Sequence, residues 1–477
     1  MGEEIDTIHF TDQDFEHYHQ CLSEETRLLS ELFLSSRLSS CHNRGGFELE
    51  VWIVDENFNP IPINDAYLQE LNSEWVSPEL SLFNVELNGK PEELKGKALS
   101  RLQVSLEQSW QHCYKVAGKF NASLIMIGTL PSVNEDQLVL ENMSRMKRYY
   151  ALNEQVFRQR KGKPLNLDII GQEHLKITHY DVMLESATTS FQLHWQMPLE
   201  KSVRAYNASQ IAAAATVAVS ANSPYLFGKD LWDETRIPLF EQSVQVGGFE
   251  AAAFGPTRRA GFGSGYVRES VMELFQENIG HYPVLLPIQY QDAKIEMKHL
   301  RLHNGTIWRW NRPLIGHDED DTPHLRIEHR VISAGPTVID SIANAAFYYG
   351  LANYLANLTD APELDLPFAT ARDNFYACAK SGLKGHVTWL GGNKGRMKQL
   401  LQQELLAAAE RGLYQMELSG DDISLYMGIL NERVDKGQHG ASWQRQYVKK
   451  HHCDMQTLTA AYAEHQQTGE PVHLWSL

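Results

Sequence analysis

The chain has 477 residues, a formal net charge of -17, a hydrophobic fraction of 43%, a charged fraction of 22% and 10 tryptophans. That length and apolar content suffice for a large buried core, and the acidic balance argues against a nucleic-acid partner, which normally meets a basic face. Anionic substrates stay open, because local arginine clusters or metal ions bind anions inside acidic proteins. The cysteines (Cys21, Cys41, Cys113, Cys378 and Cys453) are scattered with no C-x-x-C pair, so neither a zinc knuckle nor a disulfide framework is indicated. The acidic start, MGEEIDTIHFTDQDF, lacks the basic-then-apolar order of a signal peptide. The longest small-apolar stretch, IAAAATVAVSANSPYLFG, runs about a dozen residues before Asn222 and Pro224 interrupt it, too short to span a bilayer. A cytoplasmic protein with no membrane partner is expected.

In chain order, residues 14–39 have helical periodicity, with Leu28, Leu29, Leu32 and Leu34 at apolar positions. GGFELEVWIVD, Gly45 to Asp55, reads as a strand. Residues 92–119 read as a long amphipathic helix, then ASLIMIGTLP as a buried strand ending at Pro131. Residues 141–160 look helical, and 201–222 form an apolar core helix. From Gly247 to Gly265 the composition turns glycine-rich around the pair Arg258 and Arg259, a long loop that suggests a lid. It lacks the Gly-Lys-Ser/Thr ending of a P-loop. A strand and a helix are expected over Pro336 to Ala356, and after APELDLPF residues 370–465 read almost wholly as helices. The division expected is a main body, residues 1–364, and a helical C-terminal section, residues 365–477, either an extension or part of the same compact unit. Strands mixed irregularly with helices argue for an α+β fold over a βαβ array.

Chemistry enters through strand parity. Side chains of a strand alternate faces, so Phe47, Leu49 and Val51 point one way and Glu48 and Glu50 the other. Two residues of rise put the carboxylates roughly 6–7 Å apart, a repulsion of roughly 2–3 kcal/mol at an effective dielectric near 20. Three further segments share the pattern. In SLFNVELNG, Asn84, Glu86 and Asn88 oppose Phe83, Val85 and Leu87; in TSFQLHWQMP, Gln192, His194 and Gln196 oppose Phe191, Leu193 and Trp195. In PHLRIEHRVI, Arg326, Glu328 and Arg330 oppose Leu325, Ile327 and His329. Any antiparallel sheet with one wet face alternates in this way. A merely wet face, however, is filled with Lys, Thr and Ser, whereas this one holds paired Glu, Gln, His and Arg. Glu48, Glu50, Glu86, Glu328 and His194 can together surround two or three Mg²⁺ ions, with Mn²⁺ as a substitute. Arg326 and Arg330 flank Glu328 and can grip one phosphate or carboxylate from both sides.

These residues carry a resemblance. GFELE resembles the first metal-binding strand of the glutamate–cysteine ligases and related bacterial carboxylate–amine ligases, within the glutamine-synthetase-like superfamily. PELSLFNVELN is similar to the family's second acidic element, which adds Glu79 to Glu86; their odd separation requires a bend at Glu79. QLHWQ resembles its histidine-bearing strand, placing His194 at a metal or nucleotide-side position and its amide neighbour Gln196 among the cofactor-binding residues. LRIEHRV resembles the strand whose Glu binds metal and whose Arg holds the transferred phosphate, here Glu328 and Arg330. ANSPYLFGKDLWDETR is similar to a family segment that ends on an Arg, here Arg236, and TRRAGFGSGYV partly resembles an Arg-Gly loop near the active site, which suggests Arg259; both are candidates for phosphate or substrate carboxylate. Asp-Leu-Trp-Asp replaces the family's T-G-Y pattern, and Trp308 and Trp310 suggest a pocket unlike that of a cysteine-using enzyme.

The resemblance implies a curved, mainly antiparallel sheet with a polar active-site face and helices behind it. It also implies an enzyme that uses ATP and Mg²⁺ to activate a carboxylate, with glutamate as the acid and cysteine or another amino compound as the acceptor. Arg330, assisted by Arg326, would then neutralise the moving phosphoryl group. A homodimer is compatible with it. Two alternatives remain at this stage, a guanidino kinase-like phosphotransferase and a non-catalytic homologue that keeps the nucleotide site.

Overall fold

A computed structural model describes residues 4–5, 7–39, 43–246, 258–290 and 296–477. The organising element is one eight-stranded, antiparallel, curled sheet. Its strands are β1 (Arg44–Val54), β2 (Val76–Pro78), β3 (Asn84–Asn88), β4 (Glu92–Glu93), β5 (Ser123–Ile125), β6 (Phe191–Gln196), β7 (Asn311–His317) and β8 (Pro323–His329). The order across the sheet is β7-β8-β6-β1-β3-β2, with β4 and β5 each pairing with one end of β1. The longest strand is thus central, held on both sides by ladders whose register is set by which residues face the apolar core.

That core lies behind the sheet. Phe47, Leu49, Val51, Val85, Leu87, Phe191, Leu193, Leu325 and Ile327 share one apolar cluster with the helices α1 (Asp12–Leu34), α2 (Ala98–Ala117), α3 (Ser202–Ser220) and α4 (Arg236–Ser243). The same cluster takes in α5 (Val338–Ala356), α6 (Phe368–Ser381), α7 (Leu406–Gln415) and α8 (Gly420–Lys436). Helix α3 is buried along almost its whole length, which its run of alanines permits by keeping every face narrow. Thr337 caps α5 by accepting a hydrogen bond from the Asp340 backbone N–H at 3.3 Å. Where α5 meets α7 the backbones nearly touch: a Cβ on Gly412 would sit 1.8 Å from the Gly350 carbonyl oxygen, so only glycine fits.

Several sequence expectations change at this level. The helix expected over 92–119 starts only at Ala98, because Glu92–Glu93 pair with β1. The strand expected to run to Pro131 stops at Ile125, opposite Trp52, because the next positions of β1 on that side are paired with Ser190 and Phe191. No strand precedes α5, and Pro336 lies in the coil that leads to its cap. Phe83 leaves the apolar side of β3 and stacks on Trp52 at 5.4 Å, in a second cluster beside the polar face. The glycine-rich stretch expected as a lid falls largely outside the described residues, which resume at Arg258. Among the described residues no helix is long and apolar enough to cross a membrane. The C-terminal section continues as α9 (Gly440–His451) and α10 (Met455–Gln467), and Tyr462 on α10 donates a 2.8 Å hydrogen bond to the Met126 carbonyl just past β5.

Candidate active site

The other face of the sheet collects the polar residues by register alone. Glu50 on β1 lies opposite Glu86 on β3, and Glu48 opposite Gln192 on β6. His194 lies opposite Glu328 on β8, which in turn lies opposite Arg312 on β7. Gly46 faces His194 across the ladder, so no side chain stands between the imidazole and Glu48.

Two triads result. Ligating atoms of Glu50, Glu79 and Glu86 lie within 4.8 Å of one another, as do those of Glu48, His194 and Glu328. Glu79 joins the first without a strand of its own. Strand β2 folds back on β3 so that Ser77 pairs with Glu86, and Glu79, two residues on, emerges on the same side. The bend expected from its odd spacing is therefore a reversal of the chain.

The triads differ electrostatically. Three carboxylates this close, if all ionised, would repel by roughly 3 kcal/mol per pair at an effective dielectric of 20. Burial, with the charges of Glu86 and Glu50, pushes Glu79 well above the usual carboxylate range. Burial and Glu48 push Glu86 up to about 8. Glu50 is raised by burial, against the pull of Arg330 and three hydrogen bonds: from the Ser190 N–H at 2.7 Å, the Ser190 hydroxyl at 3.0 Å and the Gln192 amide at 2.8 Å. Glu79 Oε1 and Glu86 Oε2 are buried with no hydrogen-bond partner. Hard oxygen donors left unpaired and holding protons against burial form a set that a small divalent cation fits.

The second triad carries its own compensation. Burial would raise Glu48, but His194, whose Nε2 lies 3.1 Å away, holds it below the usual carboxylate range. Burial would raise Glu328 too, yet Arg312 and Arg330 keep it far below the usual range. Arg312 grips both Glu328 oxygens, Nε at 2.8 Å and Nη2 at 3.1 Å, and Arg330 Nη1 lies 3.2 Å from one of them. Arg326 Nε donates to His194 Nδ1 at 3.0 Å, leaving the ring proton on Nε2. A cation at Nε2 fits only if that proton moves to Nδ1 and Arg326 swings away.

Arg330 also donates to the Gln192 side-chain oxygen, and its Nε has no partner. Its guanidinium rests 5.8 Å over Phe240, which packs edge-on against Trp308 and tilted against Trp310. The two tryptophans thus back Arg330, and Trp310 is core. Gln196 is on the polar face, bonded to Asp318 at 3.2 Å. Arg236 and Arg259 are placed differently from the sequence expectation. Arg236 is 3% exposed and spends its guanidinium on Glu234 and on the carbonyls of Arg330 and Val331, bracing the end of β8. Arg259 is 1% exposed and bonds Thr306 and the Pro283 carbonyl, away from both triads.

Two residues of the face escaped the sequence reading. Arg312 sits before Pro313 in a segment where proline breaks the strand pattern, although its spacing from Leu314 and Gly316 carried the parity. Glu185 lies on a short 3₁₀ turn, Met183–Ala187, which has no period to read. Burial and the charge of Glu50 push it up to about 8, against Arg330.

Residues 44–470 match the family described as "Glutamate-cysteine ligase family 2". The chain belongs to that family. The match runs from β1 through α10 and so includes both triads and the helical C-terminal section. Among solved structures, the glutamate–cysteine ligase of Francisella tularensis in complex with AMP superposes with a TM-score of 0.54 at 13% identity, covering 91% of this chain and 90% of that one. A bifunctional glutathione synthetase from Pasteurella multocida gives a TM-score of 0.50 at 10% identity over 93% of this chain and 54% of that one. At such identities the likeness is one of fold, a curled antiparallel sheet with helices behind it. Compared by sequence with curated proteins, the chain has no match. Family membership makes a carboxylate–amine ligase the class of enzyme to which the site is referred.

Proposed function

We propose that the protein is an ATP-dependent ligase that joins a carboxylate to an amine, with the γ-carboxylate of glutamate as the acid and cysteine or another amino compound as the acceptor. The observation that carries this reading is the pair of triads on one sheet face with Arg330 between them, in a member of this family. The AMP bound to the Francisella relative supports a nucleotide substrate.

In this reading a substrate carboxylate oxygen takes the γ-phosphoryl group of ATP, releasing ADP. The amine nitrogen then attacks the acyl carbon, phosphate departs and the amine loses a proton. Carboxylates need this step because oxide is too basic a leaving group. Glu50, Glu79 and Glu86 would hold one Mg²⁺, and Glu48, His194 and Glu328 would hold a second only with Arg326 turned away from His194. The ions would neutralise the phosphates and draw two anions together. Arg330, held by Glu328 and Gln192, presents its free Nε where charge on the phosphoryl group develops. Arg312 fixes Glu328, and Arg236 fixes the backbone that carries Arg330.

The test is phosphate release from Mg-ATP by the purified protein, with glutamate fixed and amines varied one at a time, cysteine first. Release that needs both substrates, and that Glu50→Gln and Glu328→Gln abolish, is the expected result. Phosphate release with no dependence on any amine would overturn the ligase reading.

A further inference from the structure

The three arginines of the polar face are held by different partners. Arg312 and Arg330 are both bonded to the Glu328 carboxylate. Arg326 is half-buried and makes no ion pair among the described residues. Its hydrogen bonds go to two imidazoles, from Nε to His194 Nδ1 at 3.0 Å and from Nη1 to His324 Nε2 at 3.3 Å. A neutral ring nitrogen grips a guanidinium less firmly than an ionised oxygen does. Of the three, Arg326 is the arginine that an incoming anion can take.

Its resting place is nonetheless built. Gly316 on β7 pairs with His324 on β8, and a Cβ at 316 would lie 2.2 Å from Arg326 Nη1 and 2.7 Å from His324 Nε2. His324 Nδ1 lies 2.9 Å from Asp318 Oδ1, an oxygen that also accepts from the Gln196 amide at 3.2 Å. That carboxylate draws the ring proton of His324 to Nδ1 and leaves Nε2 to accept from Arg326.

The same logic closes His194. An arginine Nε can only donate, so His194 Nδ1 accepts and the ring proton sits on Nε2. That Nε2 is 3.1 Å from Glu48 Oε1 but badly directed for a hydrogen bond, and it is buried without a hydrogen-bond partner. A nitrogen that carries a proton cannot ligate a metal. The second triad therefore has its three ligating atoms within 4.8 Å of one another while one of them is blocked.

Building on the reading of the triads as cation sites, we propose that Arg326 gates the second one. While Arg326 rests on His194 Nδ1, only the triad of Glu50, Glu79 and Glu86 accepts a divalent cation. Nucleotide phosphates are charged acceptors and draw Arg326 off the two imidazoles. The ring proton of His194 then leaves Nε2, Nδ1 gains one, and Nε2 becomes a ligand. Cations load in order, one before the nucleotide and the second with it. Arg326 is thus a positioning residue that acts through His194.

The experiment counts Mn²⁺ bound per chain by equilibrium dialysis, without nucleotide and with a non-hydrolysable ATP analogue. The proteins are full-length wild type, Arg326→Met and the double variant Arg326→Met/His194→Ala. Without nucleotide the expected counts are one ion in wild type, two in Arg326→Met and one again in the double variant. With the analogue, wild type and Arg326→Met should bind equally. Gly316→Ala fills the resting place and leaves every charged group intact, so it should reproduce the Arg326→Met count. Equal counts in nucleotide-free wild type and Arg326→Met would overturn the gate, as would an extra ion that survives the loss of His194. Two ions on nucleotide-free wild type would overturn it without any variant. No Mn²⁺ on any of these proteins, even with the analogue, would refute the cation reading of the triads, and the gate with it.

Discussion

Glu86→Gln separates a cation site from a merely acidic one. The oxygens of Glu50, Glu79 and Glu86 lie within 4.8 Å of one another, so each ionised pair costs roughly 3 kcal/mol at an effective dielectric of 20. Without a cation the protein meets that cost partly by holding protons, since Glu86 is pushed up to about 8 and Glu79 further. A neutral amide in place of Glu86 removes two of the three repulsions and should stabilise the cation-free protein by roughly 1–3 kcal/mol. For 477 residues the unfolding entropy is on the order of 1 kcal/mol/K, so the midpoint should rise by about 1–3 °C. Magnesium should narrow that gap. A ligand at about 100 times its Kd adds roughly 2.7 kcal/mol to wild type, or about 3 °C, and the variant should gain less than half of that. The assay is thermal unfolding with EDTA and then with saturating magnesium chloride. A variant that is less stable than wild type in EDTA, yet gains as much from magnesium, would refute the assignment.

Arg312→Met should behave in the opposite way, because it leaves Glu328 buried without its bidentate partner; a loss of roughly 3–5 kcal/mol in chemical denaturation is expected, and Arg312→Lys should recover only part of it. The pH dependence of the midpoint should be two-sided in EDTA. His303 and His439 are pushed down by burial to about 3 and about 4, so the stability they contribute is present above the unfolded value of 6.5 and lost as pH falls from there. Glu86 and Glu185, raised to about 8, act in the other sense and reduce stability as pH rises from 4.5 toward 8, a loss that magnesium should flatten for Glu86. Tyr462→Phe removes a hydroxyl that bonds both the Met126 carbonyl and Asn222 at 2.8 Å, and should cost roughly 1–3 kcal/mol. A chain ending at residue 364 should fail to fold, read by far-UV circular dichroism and solubility, because α7 and α8 lie in the same apolar cluster as α5.

How much of this was legible in the sequence depends on periodicity. Glu48, Glu50, Glu86, His194, Glu328 and Arg326 sit on strands whose alternation is unbroken, Arg330 follows one residue past β8 in the same phase, and parity alone put each on the polar face. Parity says nothing about which strands are neighbours, so the division into two triads waited for the register. Glu79 and Glu185 are held by a reversal and a 3₁₀ turn, where no repeat runs long enough to read. The arginines show a different limit. Residue type made Arg236 and Arg259 attractive as anion binders, but direction decides, and both are turned onto backbone carbonyls.

The arginines left on the face explain why its acidity is divided unevenly. Arg312 is drawn to Glu328 from the adjacent strand and Arg330 from two residues further along the same segment, and Arg326 reaches His194 across a gap that Gly316 keeps open: a Cβ there would lie 2.2 Å from the Arg326 guanidinium. That half of the face is neutralised from within and stays ionised in the empty protein. On the other half Arg330 and Arg236 act on Glu50 and Arg148 on Glu79, yet burial still raises both acids, and the remaining charge must be met by protons or by a cation. A site so divided holds its arginines ready for an incoming anion while its unpaired carboxylates wait for a metal. The two binding events should therefore assist each other: Mg-ATP ought to bind more tightly than either free ATP or free Mg²⁺ alone would suggest, because each supplies the charge that the opposite half lacks.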